Sequence, residues 1–187
     1  GWQDWPEPYR DPKSAAVASF RAAHAAHIRF HQYLQWLADE QLGRVAAGAR
    51  EHGMTVGLYH DLALGSDRSG SDAWAFQDVL ALEADSGCPP DAFAPEGQNW
   101  GLPPFNPRRL RASGYRMFIA LLRKNLAYGG AIRLDHVMGL FRLFWIPRGL
   151  PASAGAYVHY PVEDLLGIVA LESLRQQVLI VGEDLGT

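Results

Sequence analysis

Apolar side chains recur at spacings of three and four residues in several stretches of the chain. This period places them along one side of an α-helix, and it predicts helices over residues 14–50, 113–127 and 161–176. Each stretch is followed by a shorter apolar run that suits a buried strand, over residues 54–62, 131–135 and 178–182. A helix followed by an apolar strand, repeated along the chain, is typical of parallel strands covered by helices.

Each predicted strand ends in a carboxylate. Asp61, Asp135 and Glu183 stand where the three apolar runs have just ended. Because connections between parallel strands are right-handed, successive strand ends point the same way, and we expect these carboxylates to meet at one rim. The pattern favours an α/β fold that forms part of a (β/α)8 TIM barrel, whose functional groups come from strand ends. A doubly wound sheet is the alternative.

Other parts of the chain lack these periods. Residues 1–13 are rich in Trp and Pro and are predicted to form an ordered leading loop. Residues 64–112 are rich in Gly, Ser, Asp and Pro, with scattered aromatic residues that argue against disorder. We interpret them as a long inserted substrate-loop region with a short helix near 72–82. Residues 141–153 are expected to form another irregular excursion, and the whole chain, 1–187, one partial catalytic barrel domain.

Composition narrows the class of protein. The chain has 187 residues, 48% of them apolar, and a net charge of −3. It can therefore bury a core, and it lacks the basic footprint of a nucleic-acid-binding protein. No apolar run approaches the roughly 20 residues that span a bilayer, so we expect no membrane partner. The single cysteine, Cys88, allows no internal disulfide, which fits a cytoplasmic location. The chain has no initiator Met, and we expect it to be a piece of a longer protein.

The most specific chemistry lies in residues 133–136 (RLDH). Side chains alternate along a strand, so Arg133 and Asp135 are expected on one face. A nearby positive charge keeps a carboxylate ionised, as a nucleophile requires. An ordinary ion pair at a strand end has the same local pattern. The catalytic interpretation gains weight because carboxylates also follow the other two strands.

Glu183 supplies a second carboxyl group at the same rim. It follows Val181 and Gly182 in an apolar run, where desolvation is expected to favour its protonated form. Enzymes that cleave glycosidic bonds use one ionised and one protonated carboxyl group on opposite sides of a pocket. At a separation of about 5–5.5 Å, the reaction would retain the anomeric configuration through a covalent glycosyl-enzyme. Trp100 and Tyr59 are candidates for stacking on sugar rings, or for packing.

Two other classes of function use similar residues. The ligands of a metal-dependent hydrolase would come from His60, Asp61, Asp135, His136, Glu183 and Asp184. Neighbouring strand residues face opposite ways, however, and no H-x-H or H-E-x-x-H spacing occurs. We expect no metal and no cofactor. A non-catalytic carbohydrate-binding module would not explain an acidic residue at every strand end.

Several short segments resemble the amylomaltases, or 4-α-glucanotransferases, of glycoside hydrolase family 77. They are residues 30–37 (FHQYLQWL), 57–63 (GLYHDLA), 97–104 (GQNWGLPP), 133–136 (RLDH) and 182–186 (GEDLG). Residues 155–161 (GAYVHYP) are most similar to the bacterial branch that uses maltodextrins. The resemblance implies that the chain holds about strands three to five of an eight-stranded barrel. It also implies that the family's third catalytic aspartate lies beyond Thr187, so the isolated chain should be inactive.

The same resemblance implies a role for each matching residue. Asp135 would be the nucleophile and Glu183 the general acid/base. The implied substrate-binding residues are Asp61, Gln98, Trp100, Arg133 and His136, with His136 in the donor subsite. The implied reaction moves an α-1,4-glucan segment from a maltooligosaccharide donor to glucose or to another maltooligosaccharide. A retaining α-amylase-type hydrolase with the same carboxylates is the alternative.

Overall fold

A computed structural model describes residues 1–185 of the protein. Its helices fall into a leading group, a few short segments in the middle and two that cover a sheet. The α-helices are α1 (Glu7–Arg10), α2 (Ala15–Ala23), α3 (Ala25–Glu51), α4 (Ser71–Ala75), α5 (Pro107–Ala112), α6 (Arg116–Leu126) and α7 (Val162–Gln176). Short 3-10 helices lie at Trp2–Asp4, Val137–Leu140 and Ala152–Ala154.

The strands form two separate sheets, so the fold is a mixed α/β arrangement. The strands are β1 (Tyr59–Leu62), β2 (Ala84–Cys88), β3 (Gln98–Asn99), β4 (Ala131–Leu134), β5 (Arg142–Pro147), β6 (Ala156–His159) and β7 (Leu179–Gly182). A three-stranded sheet has the order β1-β4-β7, and a four-stranded sheet has the order β3-β2-β5-β6. All neighbours in the first sheet are parallel, and all in the second are antiparallel.

The parallel sheet is built from the three strands that the sequence predicts. Asp61 is paired with Arg133, and Leu134 with Gly182, so the three strands end at nearly the same level. Ile132 and Leu134 of β4 are buried under α6 and α7, whereas Tyr59 and Asp61 of β1 are exposed. One face of the sheet is therefore packed, and the other, which carries the first carboxylate, is open among the described residues.

Helices α6 and α7 form the cover of the packed face. Their apolar side chains join those of β4 and β5 in one core; its most deeply buried members include Leu110, Leu122, Leu126, Ile132 and Leu165. Glu172 of α7 is buried between two arginines. Its carboxylate oxygens accept bonds of 2.8 Å from Nε and Nη2 of Arg123 on α6, and one of 3.0 Å from Arg175 Nη1. This pairing ties the two helices together.

The antiparallel sheet comes from regions where the sequence predicts no strands. β2 and β3 lie within residues 64–112, and β5 lies within residues 141–153, so the irregular excursion predicted there is wrong. The reason is that β2 (ADSGC) shows no alternation, because its residues are buried irrespective of their polarity. Of the short helix predicted near 72–82, the structure contains Ser71–Ala75.

Three predicted boundaries also need correction. The helix expected over residues 14–50 is interrupted at His24, and that expected over 113–127 begins at Arg116. The strand expected from Met54 is shorter. Gly57 has φ of +73°, outside the extended region, so the chain pairs as a strand only from Tyr59.

The long helix α3 is exposed over much of its length. Its predicted apolar stripe includes Leu34, Leu42 and Val45, which are all exposed, and Phe30, Tyr33 and Trp36 are exposed as well, while Ala46 is buried. The predicted three- and four-residue spacing is present, but these large apolar side chains are not covered by the described residues. Within residues 1–185, no helix combines the length and apolarity needed to cross a bilayer.

Candidate active site

Arg133 is the centre of the polar groups on the open face of the parallel sheet. Its Nη1 donates to both carboxylate oxygens of Asp61, at 2.9 and 2.8 Å. Its Nη2 lies 2.8 Å from Asp135 Oδ1. The hydrogen bonds to Asp61 raise the pKa of Arg133 above its ordinary value, and the charges of Asp61 and Asp135 act in the same direction. The guanidinium thus fixes the position of two carboxylates that come from neighbouring strands.

The strand register places Glu183 beside Asp135. The backbone N–H of Asp135 donates to Leu62 O at 3.1 Å, and that of Glu183 donates to Leu134 O at 3.0 Å. The ladders therefore continue one residue beyond the strands. Since alternation continues with them, Asp135 and Glu183 leave adjacent strands at the same level and on the same face.

The Glu183 carboxylate is held by backbone groups. Its Oε2 accepts the N–H of His136 at 2.9 Å, and its Oε1 accepts that of Leu185 at 2.7 Å. The apolar surroundings expected for this residue are wrong, because Val181 and Gly182 are exposed and Glu183 itself is only half-buried. The strand is an edge of the described sheet, so no described neighbour covers it. Gly186 of the GEDLG segment lies outside the described residues.

His136 follows Asp135 in the chain and donates its backbone N–H to the Glu183 carboxylate, and it does so from an unusual backbone conformation. Its φ of +49° and ψ of 60° lie in the left-handed region, which few non-glycine residues adopt. This turn directs its N–H toward Glu183 and starts the 3-10 helix that follows. Burial lowers the pKa of His136 below its ordinary 6.5, while the charges of Glu183 and Asp135 act in the opposite direction.

The backbone around Gly182 allows this close approach. A Cβ built on Gly182 would lie 2.9 Å from Cγ2 of Val137, which is too close for a real side chain. The backbone N–H of Val137, at the start of the 3-10 helix, donates to Glu183 O at 3.0 Å at the end of β7. Any larger residue before Glu183 would therefore force Val137 to shift where the 3-10 helix packs onto the strand end.

Trp100 and Gln98 approach the site from the antiparallel sheet. The Trp100 ring meets the His136 ring edge-on, with centroids 5.2 Å apart. Its Nε1 donates to Gln98 Oε1 at 3.0 Å, so the two predicted substrate-binding side chains contact each other. An indole and an exposed amide side by side can offer a sugar ring one apolar surface and one hydrogen-bonding group.

The site therefore gathers residues from both sheets. The structure brings Asp61, Arg133, Asp135 and His136 together with Glu183, and Trp100 reaches them through His136. Tyr59 does not belong there, because it begins β1 and lies at the end of the strand away from the rim. Within residues 1–185, no three His, Cys, Asp or Glu side chains are arranged to hold a metal ion.

Sequence reasoning missed a group of polar residues behind Trp100. Asp85 of β2 is buried and contacts both Arg68 and Asn99, although the three are distant in sequence. No spacing rule connects them, and Asp85 lies in a segment that shows no strand pattern. The pairing of β2 with β3 brings Asn99 near Asp85, and Arg68 reaches Asp85 from the loop after β1. Only the structure reveals both contacts.

Comparison with known proteins supports the assignment of this arrangement to a family. A family model described as 4-alpha-glucanotransferase matches residues 1–187, the whole chain. The chain belongs to glycoside hydrolase family 77. It is 46% identical over 187 residues to a 4-alpha-glucanotransferase of Haemophilus influenzae. It is 48% identical over 186 residues to a 4-alpha-glucanotransferase of Mycobacterium tuberculosis.

The family 77 chain also resembles solved structures. The amylomaltase of Corynebacterium glutamicum superposes with a TM-score of 0.83 and 44% identity, over 85% of this chain and 23% of that one. The amylomaltase of Streptococcus agalactiae, solved in complex with acarbose, superposes with a TM-score of 0.87 over 100% of this chain and 38% of that one. Its identity is 21%, so this second likeness concerns the fold alone.

The match covers only part of each relative. This family 77 chain spans about a quarter of the length of the curated relatives from H. influenzae and M. tuberculosis, 27% and 26%. The amylomaltase likeness indicates a TIM-barrel family, to which the parallel β1-β4-β7 sheet with its covering helices conforms.

Proposed function

We propose that the protein carrying this chain is a retaining 4-α-glucanotransferase, which moves α-1,4-glucan segments between maltooligosaccharides or onto glucose. The observation that carries the proposal is the pairing of β4 with β7. It sets Asp135 and Glu183 at the same level on neighbouring parallel strands. Family membership and the names of the relatives agree with this activity.

In the proposed first step, the Asp135 carboxylate attacks the anomeric carbon of the donor. The glycosidic C–O bond breaks, and Glu183 gives its proton to the departing oxygen. The product is a glycosyl ester on Asp135 and a shortened glucan that leaves. Each Glu183 oxygen has a second lone pair beyond the one that accepts a backbone N–H. The proton can therefore reside on the carboxyl group without displacing His136 or Leu185.

In the proposed second step, the ionised Glu183 removes the proton from the 4-hydroxyl of an acceptor sugar. That oxygen attacks the anomeric carbon, the ester bond breaks, and Asp135 is regenerated as a carboxylate. Two inversions give net retention. Transfer prevails over hydrolysis when the bound acceptor excludes water from the ester.

We assign the remaining residues by their geometry. Arg133 orients the Asp135 carboxylate through Nη2, while Asp61 occupies Nη1 of the same guanidinium. The mostly neutral His136 can accept or donate a hydrogen bond to the donor sugar, and Trp100 and Gln98 line the adjacent wall. These steps need no metal or cofactor, and the partners are a maltooligosaccharide donor and a glucose or maltooligosaccharide acceptor.

We also propose a place for the chain in the complete enzyme. The strands β1, β4 and β7 would be about the third to fifth of a (β/α)8 barrel, with their open face toward the barrel axis. Residues 64–112 would be an inserted substrate-loop region of the catalytic domain. The single cysteine is consistent with a cytoplasmic location.

Incubation of the complete protein with maltotriose alone tests the activity. A transferase releases glucose and also forms maltopentaose and longer oligomers, because the covalent maltosyl group passes to a second maltotriose. An α-amylase-type hydrolase gives glucose and maltose alone, and this result would overturn the proposal. A parallel incubation with a chelator should leave the products unchanged, whereas inhibition would point to the metal-dependent alternative.

A further inference from the structure

Asp85 is a buried carboxylate that the proposed reaction does not use. It lies on β2 of the antiparallel sheet and is 7% exposed. Arg68 contacts its Oδ1, and Asn99 Nδ2 donates to its Oδ2 at 3.1 Å. Both oxygens are therefore engaged, one by a cation and the other by the residue that precedes Trp100. We call Arg68, Asp85 and Asn99 the clamp.

Arg68 anchors the clamp to the loop that follows β1. Its Nη2 donates to Ala84 O at 2.5 Å, and its Nη1 donates to Leu82 O. The carbonyl of Arg68 accepts bonds from Trp2 Nε1 at 3.0 Å and from Gln3 Nε2 at 2.9 Å. With its main chain and its guanidinium both held, Arg68 presents a fixed partner to Asp85.

Asn99 links Asp85 to the loop that contains Trp100 through two side-chain hydrogen bonds. Its amide donates to Asp85, and its Oδ1 accepts the N–H of Gly101 at 2.8 Å. Trp100 lies between the two bonded positions, and its N–H donates to Ser86 O at 2.9 Å. The side chain of Asn99 thus closes a small ring around the backbone of Trp100.

Close packing of β2 on β3 restricts the position of the loop that carries Trp100. A Cβ on Gly87 would lie 2.0 Å from Gln98 O, so only glycine permits this approach. The clamp acts on a loop that is already near its final position. Its effect should therefore concern the orientation of Trp100 rather than the existence of the sheet.

We propose that Asp85 is a positioning residue for glucan binding. By holding Asn99, it keeps the Trp100 ring against His136, where the indole can meet a bound sugar. The inference rests on the proposed function, because it takes the surface beside His136 to be the glucan site. Asp85 itself touches neither substrate nor the reacting carboxylates.

The test exchanges the two members of the Asp85–Asn99 bond in the complete protein. Asn99→Asp keeps the acceptor for the Gly101 N–H but places a second carboxylate against Asp85. The double variant Asp85→Asn with Asn99→Asp restores an amide opposite a carboxylate and has the same net charge as the wild type. Asp78→Asn is the matched control, because Asp78 is an exposed partner of Lys13 at 3.2 Å.

Kinetics with maltotriose should separate positioning from simple loss of fold. We expect Asn99→Asp to raise KM about tenfold, as follows from a lost buried hydrogen bond and a like-charge contact, with kcat within about threefold of wild type. The double variant should return KM to within about threefold, and Asp78→Asn should match wild type. A KM for Asn99→Asp within about twofold of wild type, or no recovery in the double variant, would overturn the inference.

A binding measurement keeps this test independent of the proposed transfer activity. In an Asp135→Asn background, calorimetric titration with maltotriose should show the same tenfold weakening and the same recovery in Kd. If the unsubstituted protein makes no glucan longer than maltotriose, the proposed function fails, while this titration still reports on the clamp. If the protein transfers glucan and the titration shows no change, the clamp inference alone is wrong.

Discussion

The two sheets of this protein bury their polar residues to very different extents. In the parallel sheet, Asp61 and Asp135 lie on an open face, with side chains 61% and 41% exposed. In the antiparallel sheet, Asp85 is 7% exposed and both its oxygens are engaged by protein groups. Asp135, the proposed nucleophile, is accessible and shares Arg133 with Asp61, whereas the carboxylate that positions a loop is enclosed.

This contrast indicates a division of labour, in which the parallel sheet carries the groups proposed to react and the antiparallel sheet positions a loop beside them. A group that attacks a substrate must be reachable by it, so the parallel sheet leaves one face uncovered and secures its carboxylates through Arg133 and backbone N–H groups. A group that fixes a loop gains from burial, because a buried bond is less weakened by water. The antiparallel sheet therefore suits alignment, and the parallel sheet suits chemistry.

The largest expected effect is on the parallel sheet and comes from Asp135→Asn. The change removes the proposed nucleophile but preserves the shape of the side chain, so transfer from maltotriose should fall by about 10⁴-fold or more. Thermal unfolding should change little, because Arg133 keeps its two bonds to Asp61. Product analysis by chromatography and a melting curve on the same preparation provide the measurements.

A charge change elsewhere provides the control for this variant. Asp78→Asn removes one carboxylate at an exposed position and should retain full activity. If Asp135→Asn retained more than about a tenth of wild-type activity, Asp135 would not be the nucleophile. Its contact with Arg133 would then be an ordinary ion pair at a strand end.

A pair of core substitutions compares the two sheets directly. Ile132 of β4 and Ile146 of β5 are both fully buried, with 0% exposure. Replacing either with Ala should destabilise its region by about 2–5 kcal/mol, since each leaves a cavity in a packed core. Ile132→Ala should also lower kcat, because the same strand carries Arg133 and leads to Asp135. Ile146→Ala should lower the melting temperature while kcat at low temperature stays within a few-fold of wild type.

The two variants have to be measured together for this comparison. Melting temperatures establish whether the two cavities cost similar stability, and initial rates with saturating maltotriose give kcat. An equal loss of kcat in both variants would contradict the division of labour, because it would mean that the antiparallel sheet supports the reacting groups as directly as β4 does.

The parallel sheet could be predicted from the sequence because its signals are local. Ala131, Ile132 and Leu134 form an apolar run after a helical pattern, and Arg133 and Asp135 alternate with them. The ion pair between Arg133 and Asp135 follows from strand geometry alone, and the structure contains it at 2.8 Å. That Asp61 shares the same guanidinium depends on the register of β1 with β4, which no local pattern specifies.

The antiparallel sheet could not be predicted, because its stability comes from partners far along the chain. Asp85 is paired with Ile146, and Ser86 with Trp145, across about 60 residues. The segment ADSGC has little strand propensity of its own, since Ala, Asp and Gly are depleted in strands. The clamp is hidden for the same reason, because Arg68 and Asn99 contact Asp85 from 17 and 14 residues away in the sequence. Tertiary contacts override local preference here.

The smallest expected effect concerns His136, where the two sheets meet. Burial lowers the pKa of its ring below 6.5, so the folded protein resists a proton that the unfolded chain accepts. The stability that the neutral ring contributes is complete above pH 6.5 and is lost as the pH falls toward the folded-state pKa. The wild-type protein should therefore lose melting temperature between pH 7.5 and 5.5 by more than a variant that lacks this ring.

His136→Asn is the suitable variant, because Asn tolerates the left-handed backbone that position 136 requires. Melting curves of both proteins at several pH values measure the difference, and His159→Asn, which replaces an exposed histidine, should follow the wild-type curve. Parallel curves for wild type and His136→Asn would show that the ring is open to water. In that case Trp100 would not shield it, and the contact between the antiparallel sheet and the carboxylate rim would be weaker than the 5.2 Å ring separation indicates.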